Sequence, residues 1–89
     1  MSIKLFAVVD RVTGIFDGPH KSINSGAFLR EFEKLARDPN TSVGQKPEDF
    51  YAVIVGEWDE NSGTGQWNEG GPTRIADATD FVVAKENNE

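Results

Sequence analysis

The sequence predicts an α+β domain: an antiparallel sheet of four to five strands, made of two hairpins, with one amphipathic helix packed on one face. Three observations predict it. Extended runs rich in β-branched and aromatic residues fall in two pairs, each pair joined by a short glycine-containing turn. One stretch of helical period separates the pairs. The length of 89 residues suits a single core, with residues 1–85 read as one domain and 86–89 as a frayed tail.

Ile3 to Asp10 reads as a strand, Thr13-Gly14 as a turn, and Ile15-Phe16 as the start of a partner strand that Gly18-Pro19 breaks. The first hairpin therefore spans residues 3–10 and about 14–17. Asn24 or Ser25 caps a helix expected from Ser25 to Arg37. Phe28, Phe32, Leu35 and Ala36 recur at i, i+4, i+7 and i+8, giving one apolar stripe. Asp38-Pro39 ends the helix, because a residue before proline is pushed out of the helical region. Asn40 to Glu48 reads as a polar loop. Phe50 to Val55 is apolar on both faces and is expected to be the central strand, with Gly56 a bulge candidate and Glu57-Trp58-Asp59 its continuation. Asn61 to Gly65 is a turn and Gln66 to Glu69 the returning strand. After Gly70-Gly71-Pro72, residues 75–83 read as a short helical turn, an edge strand, or one followed by the other. A sheet covered on one side leaves its other face for water or a partner, and function is expected there.

Composition removes several function classes. The chain has no cysteine, which excludes disulfides, thiolate metal sites and cysteine nucleophiles. Its longest apolar runs are too short to cross a bilayer, so a soluble protein without a membrane partner is expected. The net charge of −6 is uneven: residues 1–46 hold seven bases and five acids, residues 47–89 two bases and ten acids. An acidic chain is repelled by nucleic acid at long range unless its bases gather on one face.

His20 is the only histidine and has no partner suited to a metal or a triad, so it reads as a surface residue. Asp59 to Gly63 fails as a calcium loop, since Gly63, Thr64 and Gly70 fall where positions 5, 6 and 12 need other residues. Gly63-Thr64-Gly65 lacks the following helix of a phosphate cradle. No enzyme, catalytic residue, metal ligand or cofactor is expected. Arg30, Lys34 and Arg37, at i, i+4 and i+7, share one side of the helix, and Lys21 extends the patch. They form either a solvated face, with Glu33 pairing Arg30 or Arg37, or a stripe that contacts phosphates. Tyr51, Trp58 and Trp67 lie in or beside strands among polar neighbours. Exposed rings on a sheet can stack single-stranded bases, make protein contacts, or pack against each other across strands.

The run Gly26-Ala27-Phe28-Leu29-Arg30-Glu31-Phe32, then Asp38-Pro39-Asn40, Lys46-Pro47-Glu48-Asp49-Phe50, Gly56-Glu57-Trp58-Asp59 and Gly63 resembles the small nonstructural protein of gokushovirus-type microviruses, phages with single-stranded DNA genomes. Leu5-Phe6-Ala7-Val8-Val9-Asp10 is similar to that family's opening strand. The resemblance covers about residues 4–82, with Phe50 and Trp58 standing where Tyr and Phe are commoner. It implies a protein absent from the virion, acting in the host bacterial cytoplasm in the switch from double-stranded replication to single-stranded genome synthesis. The expected partner is single-stranded DNA, contacted by Lys21, Arg30, Lys34, Arg37, Tyr51, Trp58 and Trp67. The alternative is an acidic protein–protein module that engages a phage initiator or host replication factor. A homodimer is compatible with both.

Overall fold

Asn24 is extended, and its side-chain oxygen accepts a hydrogen bond from the Ala27 amide at 2.9 Å. One of the orphan donors at a helix start is thereby satisfied. Helix α1 then runs Ser25–Arg37, the span its apolar period predicts, in a computed structural model that describes residues 2–82. Phe28, Phe32 and Ala36 are buried along it. Leu35 is 39% exposed, and Leu29 packs against the core beside the stripe instead.

The strands are β1 (Ser2–Asp10), β2 (Ile15–Ser22), β3 (Phe50–Asp59), β4 (Thr64–Trp67) and β5 (Thr73–Asp77), all paired antiparallel. The sheet order is β2-β1-β3, and the far edge of β3 is shared. There β5 pairs with Tyr51 to Ile54, and β4 with Gly56 to Asp59. The doubly apolar run is thus the central strand.

Three expectations are corrected. Gly18-Pro19 does not end β2, which continues to Ser22 across a register shift opposite Phe6 and Val8. Proline is tolerated because β2 is an edge strand, whose outward groups need no ladder partner. The segment read as a polar loop holds the one-turn helix α2 (Ser42–Gln45) and a 3-10 turn at Pro47–Asp49. Thr41 drives that order: its hydroxyl donates toward Leu35 O at 2.7 Å and accepts from the Gly44 amide at 3.0 Å, while Val43 is buried. The returning strand β4 begins at Thr64 and stops at Trp67, two residues earlier at each end than Gln66 to Glu69. After Pro72 the chain is strand followed by helical turn, with β5 leading into a 3-10 turn at Ala78–Phe81. Residue 83 and the tail at 86–89 lie outside the described residues.

The core sits between α1 and one face of the sheet. Phe6 and Phe28 stack with centroids 4.6 Å apart, Phe28 and Phe32 follow at 6.4 Å, and Phe81 meets Phe32 edge-on at 6.0 Å. Val8, Ala36, Val43, Ala52 and Ala78 complete this cluster. A second buried cluster of Ala7, Val9 and Val53 lies on the other face, with Tyr51 and Val55 packed against it.

The β3–β4 hairpin depends on close backbone approach. A β-carbon at Gly56 would overlap the Gln66 carbonyl oxygen and lie 3.1 Å from Trp67 Cα. Gly56→Ala is therefore expected to cost about 1–3 kcal/mol in thermal unfolding. At the turn the Asn61 amide donates to Asp59 at 2.9 Å and holds its carboxyl below the ordinary carboxylate value. That support is present above the ordinary carboxylate pKa and fades as pH falls through the lowered one.

Candidate nucleic-acid interface

Side chains alternate along a strand, so residues directly opposite each other in a ladder share a face. Phe6, Val8, Phe50, Ala52 and Ile54 face α1. Leu5, Ala7, Val9, Tyr51, Val53 and Val55 face away from it. Three register shifts then decide what joins the outer face. In β3 the pairing passes from Phe6↔Ile54 to Leu5↔Gly56, which leaves Val55 as the extra residue. Beyond that bulge Trp58 lies opposite Ile3 and Gly65, on the outer face, where simple alternation from Ile54 would have turned it toward the helix side. In β2 the shift at Gly18-Pro19 puts both Phe16, opposite Val9, and Lys21, opposite Leu5, on the outer face. In β5 the shift at Ile75 puts both Arg74, opposite Val53, and Asp77, opposite Tyr51, there as well. Trp67, opposite Gly56, completes the set.

At one end of this face a cationic cluster surrounds Tyr51. The Arg11 and Arg74 guanidinium carbons lie 4.6 and 5.3 Å from the centre of its ring. Asp77 Oδ1 receives Arg11 Nη2 at 2.6 Å and Arg74 Nη1 at 3.5 Å, and Arg11 Nε donates to Glu48 O at 3.2 Å. Two cations thus share one carboxylate and one ring, and cation–π attraction adds to the pairing. A guanidinium held in this way still has donors left over, since it carries five.

Toward the other end the face is apolar. A cleft of about 320 Å³ is lined by Ala7, Phe16, Pro19, Val55, Trp67 and Pro72 among others. A neighbouring depression of about 470 Å³ shares Pro19 and Trp67 and adds Leu5, Lys21, Trp58 and Gly65. Trp67 is 67% exposed, whereas Trp58 is half-buried. Gly65 leaves room for the Trp58 ring: a β-carbon there would lie 3.3 Å from it. Lys21 Nζ, at the rim, is 3.8 Å from Glu60.

The structure therefore brings together four of the seven residues expected to bind nucleic acid: Lys21, Tyr51, Trp58 and Trp67. Arg30, Lys34 and Arg37 sit on α1, behind the sheet. Lys34 is 3.5 Å from Glu31 and Arg37 is 2.9 Å from Glu33, both within the helix, while Arg30 makes no ion pair among the described residues. Sequence reasoning missed Arg11, Arg74 and Phe16. Phe16 carried a usable signal, an aromatic just after a hairpin turn. The two arginines carried none, because the ring they share, Tyr51, lies on another strand.

His20 lies 3.6 Å from Asp17, with its ring 6.3 Å from that of Phe28. Among the described residues no three His, Cys, Asp or Glu side chains group to hold a metal, and no helix is long and apolar enough to cross a membrane. No curated protein and no solved structure matches the chain. The family model for the Phage ORF5 protein matches residues 3–81, a span from β1 into the final 3-10 turn that contains every residue of the outer face. By that match this chain belongs to the Phage ORF5 protein family, and it is a small phage protein.

Proposed function

We propose that this phage protein is a nonstructural accessory of DNA replication that binds single-stranded DNA on the sheet face turned away from α1. The observation that carries the reading is the gathering of Tyr51, Trp58 and Trp67 with Arg11, Arg74 and Lys21 on that one face. Indoles stack on bases that only an unpaired strand presents, and guanidinium or ammonium groups meet the phosphates between them. Tyr51 and Trp58 are seven residues apart on β3, or roughly 23 Å at ~3.3 Å per residue. The DNA contact is assigned to the sheet and not to the helical stripe, because the sheet bases stand among the aromatic rings, whereas Arg30, Lys34 and Arg37 lie on α1 behind the sheet. The resemblance to the small gokushovirus-type protein supports a role in the switch to single-stranded genome synthesis. It also supports a location in the host cytoplasm, outside the virion.

With three cations meeting phosphates, log K should fall with log salt at a slope of about −2, so affinity drops roughly 15–20-fold between 50 and 200 mM salt. Fluorescence anisotropy of a labelled oligonucleotide, single-stranded beside double-stranded, measures this. Salt-dependent binding that favours the single strand is expected. A protein silent toward both at 50 mM salt does not bind DNA in this way. A second reading then takes over, in which a replication protein is the partner. The exposed Val12, Ile15 and Ile23 favour it, being apolar side chains without cover.

A further inference from the structure

We infer that the cleft between Phe16 and Trp67 receives a single unstacked nucleobase, with Trp67 as its stacking surface; the inference rests on the single-stranded DNA reading. The floor is made by the short side chains of Ala7 and Val55, and the walls are two exposed rings, Phe16 at 47% and Trp67 at 67%. Its volume of about 320 Å³ lies at the small end of ligand clefts, which suits one flat ring system better than a longer ligand. No charged side chain lines it, so a phosphate would gain nothing inside. Charge stands instead on either side. Lys21 borders the adjoining depression, which shares Pro19 and Trp67 with the cleft. Arg74 lies opposite Val53, one step along the face from Val55. A neutral ring flanked by two anions is the complement of that pattern, and a nucleotide in a single strand has this form. A lipid chain or an apolar peptide side chain would leave the flanking cations without a role.

The one polar side chain of the lining is Asn68, and its amide nitrogen already donates to Ile54 O at 2.9 Å. The side chain can still offer a ligand one N–H and its acceptor oxygen. With one amide side chain set among two rings and apolar residues, the cleft recognises the face and size of a base more than its edge, and binding should tolerate any sequence.

Trp58→Phe leaves Trp67 as the sole indole and so as a reporter of the cleft. This variant would be titrated to saturation at low salt with an eight-residue thymidine oligonucleotide, and with a chain of the same length in which every residue is abasic. The base-bearing oligonucleotide is expected to quench Trp67 emission, and the abasic chain to bind weakly without quenching. In the otherwise native protein, Trp67→Ala should weaken thymidine-oligonucleotide binding by about 5–150-fold, measured by anisotropy. If the thymidine oligonucleotide binds with Trp67 emission unchanged, or the abasic chain quenches equally, or Trp67→Ala binds as well as the native protein, the base site is wrong while DNA binding stands. If the native protein binds neither chain, both ideas fall together.

Discussion

Phe32→Ala is expected to lower the free energy of unfolding by about 3–5 kcal/mol, the range for removing a buried phenyl ring. Phe32 is 1% exposed and continues the ring stack that begins with Phe6 of β1 against Phe28 of α1. It touches Phe28 on one side and Phe81 edge-on at 6.0 Å. Truncation therefore opens a cavity and releases the 3-10 turn that carries Phe81. A small domain buries proportionally less surface, and native proteins are stable by only about 5–15 kcal/mol, so much of the total would go. Thermal unfolding by circular dichroism should show Tm falling by roughly 12–40 °C. Phe32→Leu, which keeps much of the volume, should cost clearly less. A fall of only a few degrees for the alanine variant would mean that the core is centred elsewhere.

Replacing Arg11 and Arg74 together by glutamine should weaken single-stranded DNA binding on the order of 10-fold or more at low salt. It should also reduce the magnitude of the salt slope by about 1.4, the value for two lost phosphate contacts. The loss should be uniform across sequences, because a phosphate contact reads no base. Stability should change little in comparison, since partly exposed ion pairs contribute only about 0–1 kcal/mol each. Asp77→Asn should act in the opposite direction. Its carboxylate occupies the same guanidinium groups that a phosphate would take, at 2.6 and 3.5 Å, and neutralising it removes the competitor. An arginine pair with a purely structural role would give the reverse pattern, with a lowered Tm and an unchanged salt slope.

The helix was legible in the sequence because each of its signals is local. Asn24 caps it, Phe28 and Phe32 fall on one side, and Asp38-Pro39 closes it. The central place of β3 was legible because a strand apolar on both sides needs cover on both. Clustering of the aromatics was only half legible. Residue types marked Tyr51, Trp58 and Trp67 as candidates, but alternation alone would send Trp58 to the helix side, and only the bulge at Val55 returns it to its companions. Lys21 and Phe16, five positions apart, share a face for the same kind of reason. The arginines around Tyr51 were illegible because that cluster joins the end of β1, the start of β3 and the whole of β5, and the last of these was undecided in the sequence. On the helix, the spacing of Arg30, Lys34 and Arg37 suggested a stripe. Glu31 and Glu33, in the same two turns, supply the countercharges that its in-helix pairs use.

The most direct test of the central assignment is an amide and indole NMR titration of the isotope-labelled protein with a short thymidine oligonucleotide. Shifts concentrated on Phe16, Lys21, Tyr51, Trp58, Trp67 and Arg74, with both indole N–H signals moving and α1 undisturbed, are the result this account predicts. Shifts confined to the surface of α1 around Arg30, Lys34 and Arg37, with both indoles unmoved, would contradict it.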